Sequence, residues 1–170
     1  MEKSRSNLHT ITLTALFAAL ICGLTLFYIP LPAERGYIHF GDSLIYMAAC
    51  FLPAPYAMLA GSIGGGLADF ISGYPIWIIP TIIIKALITL PISSKTETIL
   101  TKRNMLMLLL SGAISMTGYF LAEFLLFGNI GVSLYNILPS LIQSGGSAMI
   151  FIMVGKILDK MNFKKTVWRI

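Results

Sequence analysis

Five polar side chains stand inside, or at the ends of, segments that are otherwise apolar. They are three carboxylates, one lysine and one amide: Asp42, Asp69, Glu123, Lys85 and Gln143. A charged group in the hydrocarbon core of a bilayer costs roughly 3 kcal/mol or more unless it is paired or faces water. Such residues therefore mark ion pairs, a polar ligand pocket or a proton-transfer site, and the surrounding elements decide which.

The apolar segments that carry these residues predict an all-α, polytopic membrane protein. Six runs are almost free of charge: 10–29, 41–52, 56–72, 76–92, 105–127 and 134–155. A spanning helix needs about 20 apolar residues, so six transmembrane helices use most of the chain and predict a single domain over residues 1–170. The second run is short for a full span, which favours a tilted helix or one that starts within the headgroup layer.

The basic residues predict the orientation of these helices. Of the twelve Lys and Arg residues, all except Arg35 and Lys85 lie before the first run, between the fourth and fifth, or after the last. Short basic segments are retained in the cytoplasm, so both termini and the 93–104 loop are predicted to be cytoplasmic. Lys3 and Arg5 also suit a signal peptide, but the following run is long and no small-residue cleavage site follows it. A retained first helix is therefore expected.

The composition excludes a water-soluble domain. The chain is 56% hydrophobic and 11% charged, with a mean hydropathy of +0.84, which is typical of a membrane protein. A net charge of +5 could suggest a nucleic-acid partner. Because the cations cluster at helix ends, we expect them to contact anionic headgroups of the lipid bilayer instead, and no nucleic acid.

Several kinds of site are not predicted. The chain lacks the Gly-x-x-x-x-Gly-Lys-Ser/Thr loop that cradles nucleotide phosphates. His9 and His39 are predicted on opposite faces of the membrane, which excludes a metal site built on both. Cys22 and Cys50 lie in apolar runs and are expected to be small buried hydrophobes. The sequence therefore predicts no metal, no cofactor and no catalytic residue.

The predicted orientation gathers the polar residues in the outer half of the membrane. Asp42 and Asp69 lie near outer helix ends, and Glu123 lies about one turn inside the end of helix five. Lys85 and Gln143 lie deeper, near the midplane. Further polar or aromatic side chains occupy the same half: Tyr74, Trp77, Tyr119 and Asn136.

Most of these residues also have a structural interpretation. Asp42 and Asp69 suit helix caps or loop anchors, and Trp77 suits an aromatic belt at the membrane interface. Lys85 suits an ion pair with Asp69 or Glu123. Glu123 lies in an otherwise apolar segment, which favours a functional role.

Small residues form two stripes at helical spacing. Within 61–66 (GSIGGG), residues four apart are small, a pattern that lets neighbouring helix backbones approach closely. In helix one, Ala15, Ala19 and Gly23 share a face. This second stripe suits either close packing within the chain or docking of another membrane protein, and the sequence leaves both open.

The segment 37–88, YIHFGDSLIYMAACFLPAPYAMLAGSIGGGLADFISGYPIWIIPTIIIKALI, resembles the substrate-binding S components of energy-coupling factor (ECF) vitamin transporters, most closely the riboflavin-type group. Members of that group carry Gly-Asp at the start of helix two, Ala-Asp at the end of helix three, and a lysine in helix four. Gly41-Asp42, Ala68-Asp69 and Lys85 match those positions. The resemblance implies six helices, an outward-facing pocket and no ATPase activity of the chain's own.

The resemblance also implies partners and a location. It implies a transmembrane coupling (T) subunit and two ATPase subunits, docking through Ala15 and Ala19, and the plasma membrane of a prokaryote. Two alternatives remain open: an intramembrane enzyme that uses Asp42, Asp69 and Glu123 as acid–base groups, and a self-sufficient proton-coupled carrier. An enzyme would need a dyad at hydrogen-bond distance, and a carrier would need polar groups through the inner half of the membrane.

The expected pocket binds a vitamin or vitamin precursor. Three acids against one deep lysine favour a neutral or cationic, nitrogen-bearing ring, such as a pyridoxine-like, pyrimidine or flavin molecule. Asp42 and Asp69 are expected at the rim or as structural groups. Among the residues predicted to bind substrate, Glu123 and Asn136 are expected to be polar anchors, and Trp77 and Tyr119 the walls. Gln143 and Lys85 are expected to form the floor, and Tyr37 and His39 the lid.

Overall fold

The computed structural model describes residues 2–30 and 37–168, with side chains from Asn7 onward. Within these ranges the fold is almost entirely helical, as predicted, with one short strand pair that was not predicted. The elements are α1 (Glu2–Thr25), β1 (Tyr28–Pro30), β2 (Tyr37–His39), α2 (Asp42–Phe51), α3 (Ala54–Ile71), a 3-10 turn (Pro75–Trp77), α4 (Ile78–Leu87), α5 (Lys102–Phe127), α6 (Ile130–Tyr135), α7 (Ile137–Lys160) and α8 (Phe163–Val167).

All six apolar runs form helices, but these helices differ in length. In the described residues, three segments are long and apolar enough to cross a bilayer: Asn7–Thr25, Lys102–Phe127 and Ile130–Lys160. The apolar segments Asp42–Phe51 and Pro75–Leu87 are shorter. At 1.5 Å per residue, α2 is about 15 Å long, half of a ~30 Å hydrocarbon core. Nearly all of α2 is buried against other helices, so six full spans remain a prediction.

Three predicted helix ends were wrong. The first helix ends at Thr25 rather than Ile29 because the chain leaves it to form β1, whose last residue is Pro30. The fourth ends at Leu87 and continues as turns, so it is shorter than the apolar run 76–92. The sixth is not one helix, because it breaks at Asn136 into α6 and α7.

Close packing around α3 sets the position of α1 and α4. A methyl group added at Gly64 would lie 2.7 Å from the carbonyl oxygen of Ala18 in α1, and one at Gly61 would lie 3.0 Å from that of Lys85 in α4. The first distance is shorter than real Cβ contacts, so glycine is required at 64, and the second would force α4 to shift by a few tenths of an ångström. The geometry supports the packing interpretation of the 61–66 stripe.

The strand pair closes one end of the helix bundle. β1 and β2 are antiparallel, with Tyr28 opposite His39 and Pro30 opposite Tyr37. Gly41, which precedes α2, fits against the end of α1 because an added Cβ would overlap the hydroxyl of Thr25. The strand pair and the start of α2 are thereby held beside the C-terminal end of α1.

The opposite end of the bundle is closed by the last helix. The ring of His9 packs edge-on against Trp168, with centroids 5.4 Å apart. Lys164 Nζ donates to the carbonyl oxygens of Ser94 and Thr96 at 2.7 and 2.5 Å, and burial lowers the pKa of this lysine. The start of α1, the 93–101 loop and α8 therefore meet at one end of the bundle, while the sidedness of that end remains a prediction.

Candidate functional site

A cavity of about 80 Å³ lies beneath the strand pair. One water molecule needs roughly 10–15 Å³ by the same kind of measure, so the cavity has room for several. Its lining comes from the end of α1, β2, α3, the 3-10 turn and the four following helices. The residues are Thr25, Tyr37, Ile38, His39, Gly65, Asp69, Trp77, Thr81, Lys85, Met116, Tyr119, Phe120, Glu123, Ser133, Asn136, Ile137, Pro139, Ser140 and Gln143.

The floor of the cavity contains a buried ion pair. Lys85 Nζ lies 2.5 Å from Asp42 Oδ1, and the two side chains are 1% and 0% exposed. Gln143 Nε2 donates to the other oxygen of Asp42 at 3.3 Å. The expected pairing of Lys85 with Asp69 or Glu123 was therefore wrong. Asp42 also does more than cap α2, because both of its oxygens are used by distant helices.

The ion pair has a geometric reason. Asp42 is the first residue of α2 and Lys85 lies in the last turn of α4, and both helices pack on α3. A lysine near a helix C-terminus and an aspartate near an N-terminus each suit the local helix dipole. The pair thus gains from both dipoles as well as from its own attraction.

The roof of the cavity is formed by β2. Tyr37 donates from its hydroxyl to Asp69 Oδ1 at 2.5 Å, and its ring packs against Tyr28 and Tyr74 at 4.5 and 5.2 Å. Burial of the hydroxyl, together with the nearby Asp69 carboxylate, raises the pKa of Tyr37. This tyrosine therefore remains a hydrogen-bond donor and fastens β2 to the end of α3.

His39, on the same strand, is neutral. Its Nδ1 accepts a hydrogen bond from the Gly41 amide at 3.0 Å, and its own backbone amide donates to Gln143 Oε1 at 3.3 Å. Burial, followed by the charge of Lys85, lowers its pKa to about 3. His39 therefore contributes hydrogen bonds rather than positive charge to the cavity.

The wall on the α5 side holds an acid and an amide. Asn136 Nδ2 donates to Glu123 Oε1 at 2.6 Å, and Glu123 is only 3% exposed. Asn136 reaches this position because it lies at the break between α6 and α7. The bend in the sixth helix therefore serves to place a polar group against Glu123.

Aromatic side chains form a further part of the wall. Trp77 is 6% exposed, and its ring lies 6.0 Å from that of Tyr119. The hydroxyl of Tyr119 is 3.2 Å from that of Thr81, and Lys85 Nζ lies 5.1 Å from the centre of the Tyr119 ring, within cation–π range. Trp77 thus faces the cavity rather than an interfacial belt.

The structure brings together the residues singled out in the sequence. All eight predicted substrate-binding residues line the cavity: Tyr37, His39, Trp77, Lys85, Tyr119, Glu123, Asn136 and Gln143. Asp69 also lines it, whereas Asp42 lies behind Lys85. Arg35, the cation predicted outside, lies beyond the described residues. That these side chains bind substrate remains a prediction.

Several lining residues were missed by sequence reasoning. Thr81 could have been found, because it lies four residues from both Trp77 and Lys85 and so shares their helix face. Ser140 is four residues from Asn136 in the same way. Met116 and Phe120 lie three residues before Tyr119 and Glu123, respectively, so the same rule would have found them on that face of α5.

The Ala15–Ala19 stripe does not pack inside the chain. Ala15 and Ala19 are exposed, whereas the buried face of α1 carries Thr14, Ala18 and Ile21. A Cβ added at Gly23 would touch nothing. The internal interpretation of this stripe is therefore wrong, while a role in docking remains a prediction.

The cysteines and the acids are the remaining candidate metal ligands. Cys22 and Cys50 are buried and free, as expected. Among residues 2–30 and 37–168, no cluster of three or more His, Cys, Asp or Glu side chains could hold a metal ion. Among the described residues, Asp42, Asp69 and Glu123 do not form a carboxylate dyad. Asp42 binds Lys85 and Gln143, Asp69 binds Tyr37, and Glu123 binds Asn136.

Comparisons with known proteins point to one family. The family described as "ECF-type riboflavin transporter, S component" matches residues 5–160. A protein of Pyrococcus woesei, described as an uncharacterized protein in a gap 3' region, is 33% identical over 136 residues, which cover 78% of this chain and 88% of that protein. The match over residues 5–160 includes every element that lines the cavity.

Proposed function

Since the chain belongs to the family of ECF-type riboflavin transporter S components, we propose that its cavity captures a vitamin or vitamin precursor for import. The family is one of membrane transport proteins rather than enzymes. Its members bind a vitamin-type substrate and associate with coupling and ATPase modules. The chain is thus the substrate-capture subunit of an ECF transporter.

The observation that carries the proposal is the convergence of polar and aromatic residues on one cavity. Eight residues from β2, the 3-10 turn, α4, α5 and the α6–α7 region line a single space. Small-molecule sites typically combine apolar walls with a few polar groups that fix orientation. Here Trp77 and Tyr119 provide the wall, while Glu123, Asn136 and Gln143 provide hydrogen bonds.

The charges of the cavity favour a neutral or cationic ring. Lys85 is already paired with Asp42, while Asp69 and Glu123 add two carboxylates to the walls. An anionic substrate would be repelled by these acids, and Lys85, the lysine in the cavity lining, is already paired and would not offset the repulsion. A pyridoxine-like, pyrimidine or flavin molecule suits the site, with riboflavin suggested by the family.

The substrate-capture assignment can be tested on the purified protein. Mass spectrometry of small molecules that co-purify with it should identify a vitamin or precursor, and titration with that compound should show saturable binding. Riboflavin, pyridoxine and an aminopyrimidine thiamine precursor form the panel if nothing co-purifies. A folded protein that binds none of these compounds would refute the proposal.

The pocket assignment is tested by substitution. Glu123→Gln keeps the shape of the side chain but removes the charge behind one hydrogen bond, which costs roughly 1.5–3 kcal/mol, or one to two decades in Kd. Trp77→Ala should weaken binding through lost stacking area. Trp168→Ala is the matched control, because Trp168 lies at the other end. Unchanged affinity in both cavity variants would place the site elsewhere.

We further propose a topology of six crossings with both termini and the 93–104 loop in the cytoplasm of a prokaryotic cell, in its plasma membrane. A single cysteine at Asn129, in a background lacking Cys22 and Cys50, should react with an impermeant thiol reagent applied to intact cells. A cysteine at Thr98 or Lys165 should not. Labelling of Thr98→Cys from outside would contradict the orientation.

The proposed partners are a T subunit and two ATPase subunits supplied by other chains. The exposed Ala15–Ala19 stripe suits close helix packing against the T subunit, because association in lipid depends on van der Waals fit. Uptake in a cell expressing all subunits, and its loss without the ATPases, tests this dependence. Uptake by the chain alone would favour the self-sufficient carrier.

A further inference from the structure

Asp69 is placed where it can act on both the roof and the contents of the cavity. It lies in the last turn of α3, its side chain is 4% exposed, and it lines the cavity. Its backbone oxygen accepts from the Tyr74 amide at 2.9 Å, which closes the turn after α3. The carboxylate is therefore held at a fixed point beneath β2.

The two carboxylate oxygens of Asp69 are in different situations. Oδ1 accepts the hydrogen bond from the Tyr37 hydroxyl at 2.5 Å. Oδ2 is buried and has no partner within hydrogen-bond distance among the described residues, and the nearest donor side chain that acts on the carboxylate besides Tyr37 is the Thr81 hydroxyl. Asp42 differs, since Lys85 and Gln143 use both of its oxygens.

A complementary donor lines the same cavity. The indole Nε1 of Trp77 is buried and has no hydrogen-bond acceptor within the described part of the chain. Buried polar groups in native proteins are almost always satisfied. The orphaned acceptor and the orphaned donor belong to two residues that line one cavity. A small side-chain rotation would bring each atom to a bound molecule, which would gain hydrogen bonds without displacing any of those described above.

We propose that Asp69 is a substrate-binding residue whose Oδ2 accepts a hydrogen bond from an N–H or O–H group of the captured ring, while Trp77 Nε1 donates to an acceptor on the same molecule. This rests on the proposed function and narrows its substrate class. The molecule is a neutral or cationic ring that carries both a donor and an acceptor. Through Oδ1 and Tyr37, the same carboxylate holds β2 over the bound ring.

The two roles predict different effects for two small substitutions. Asp69→Asn keeps an oxygen that can accept from Tyr37 but replaces Oδ2 with an NH₂ group, which cannot accept the substrate's hydrogen bond. Tyr37→Phe keeps the ring and leaves the carboxylate intact. Substrate recognition should therefore depend on Asp69, while retention of the bound molecule should depend on Tyr37.

The test is a titration of the purified wild type and variants with riboflavin, pyridoxine and the aminopyrimidine. For each compound that the wild type binds, Asp69→Asn should weaken binding roughly 10- to 100-fold, as for loss of a hydrogen bond to a charged group. Tyr37→Phe should weaken it less than Asp69→Asn does and should do so through faster dissociation in stopped-flow chase experiments. Trp168→Ala, at the other end of the bundle, is the control and should bind each compound as the wild type does.

Thermal unfolding without added compound separates recognition from folding. Because Oδ2 has no partner within hydrogen-bond distance in the described part of the chain, Asp69→Asn should unfold within a few degrees of the wild type. A large loss of stability, or wild-type affinity in Asp69→Asn, would overturn the inference while leaving substrate capture intact. If the wild type binds no compound of the panel, the proposed function fails and this inference fails with it.

Discussion

The ion pair between Lys85 and Asp42 should be the most sensitive electrostatic contact in the protein. Its atoms are 2.5 Å apart, and the side chains are 1% and 0% exposed. Lys85→Met keeps the length and apolar stem of the side chain but removes its charge. The carboxylate of Asp42 would then be left buried with only the amide of Gln143 at 3.3 Å.

The size of the effect follows from that burial. Removing one partner of a buried pair typically costs about 3–5 kcal/mol, because the remaining charge is uncompensated. For a chain of this length, each kcal/mol corresponds to about 2–4 °C in Tm. We therefore expect Lys85→Met to lower the Tm by roughly 6–20 °C.

The assay is thermal unfolding of the protein in detergent, followed by tryptophan fluorescence. Lys165→Met is the matched control, because Lys165 pairs with Glu97 at 2.9 Å on an exposed surface, where such pairs contribute little. Asp42→Asn combined with Lys85→Met removes both charges and should be more stable than Lys85→Met alone. That recovery distinguishes an unpaired charge from lost packing.

A Tm of Lys85→Met equal to that of the wild type would refute this reasoning. Equal loss in Lys85→Met and Lys165→Met would do the same, because burial would then carry no weight. Affinity in the double variant separates the two roles of Lys85. If that variant is stable and still binds the co-purified compound, the lysine serves the fold, whereas lost affinity would show a substrate contact.

Three further outcomes are expected. The pKa of His39 is about 3 in the folded protein against an ordinary value of 6.5, so as the pH falls below 6.5 the unfolded chain binds a proton that the folded chain does not. The free energy of unfolding should fall by up to about 1.4 kcal/mol per pH unit because of this group. A plot of that free energy against pH should have a shallower slope for His39→Asn, and an unchanged slope would contradict the low pKa of His39. Ala19→Trp should abolish uptake and co-purification of the T subunit, while substrate binding by the purified chain should be unchanged. Leu20→Trp, at a position that is also exposed, should leave all three unchanged. Equal behaviour of the two variants would remove the stripe from the docking surface. Riboflavin should bind more tightly than its 5′-phosphate in titrations, because the cavity's lysine is already paired and carboxylates line its walls; equal affinity would contradict the charge argument.

The contacts of Asp42, Asp69 and Glu123 do not favour an intramembrane enzyme. A general acid–base site needs two groups within hydrogen-bond reach of one reacting atom. Asp42, Asp69 and Glu123 instead bind a lysine, a tyrosine and an asparagine, respectively. These partners hold the acids as fixed hydrogen-bonding groups, which suits binding rather than proton transfer.

Much of the fold was predictable from the sequence because apolar runs and basic flanks are local properties. Each of the six runs forms helix, and α2 and α3 end within two residues of the runs 41–52 and 56–72. Polar residues in apolar segments had to be buried together or face water, because a polar group exposed to lipid is unfavourable in free energy. Their convergence could therefore be predicted. This is why the predicted binding residues share one cavity.

Tertiary structure alone decided how these residues pair. Nothing in the spacing of Asp42, Asp69 and Lys85 distinguishes an Asp42–Lys85 pair from an Asp69–Lys85 pair, because the choice depends on how α2 and α4 rotate against the glycines of α3. The break at Asn136 and the early end of α1 depend likewise on contacts with distant segments. Hydropathy determines that a side chain must leave the lipid, whereas helix packing determines which partner it meets.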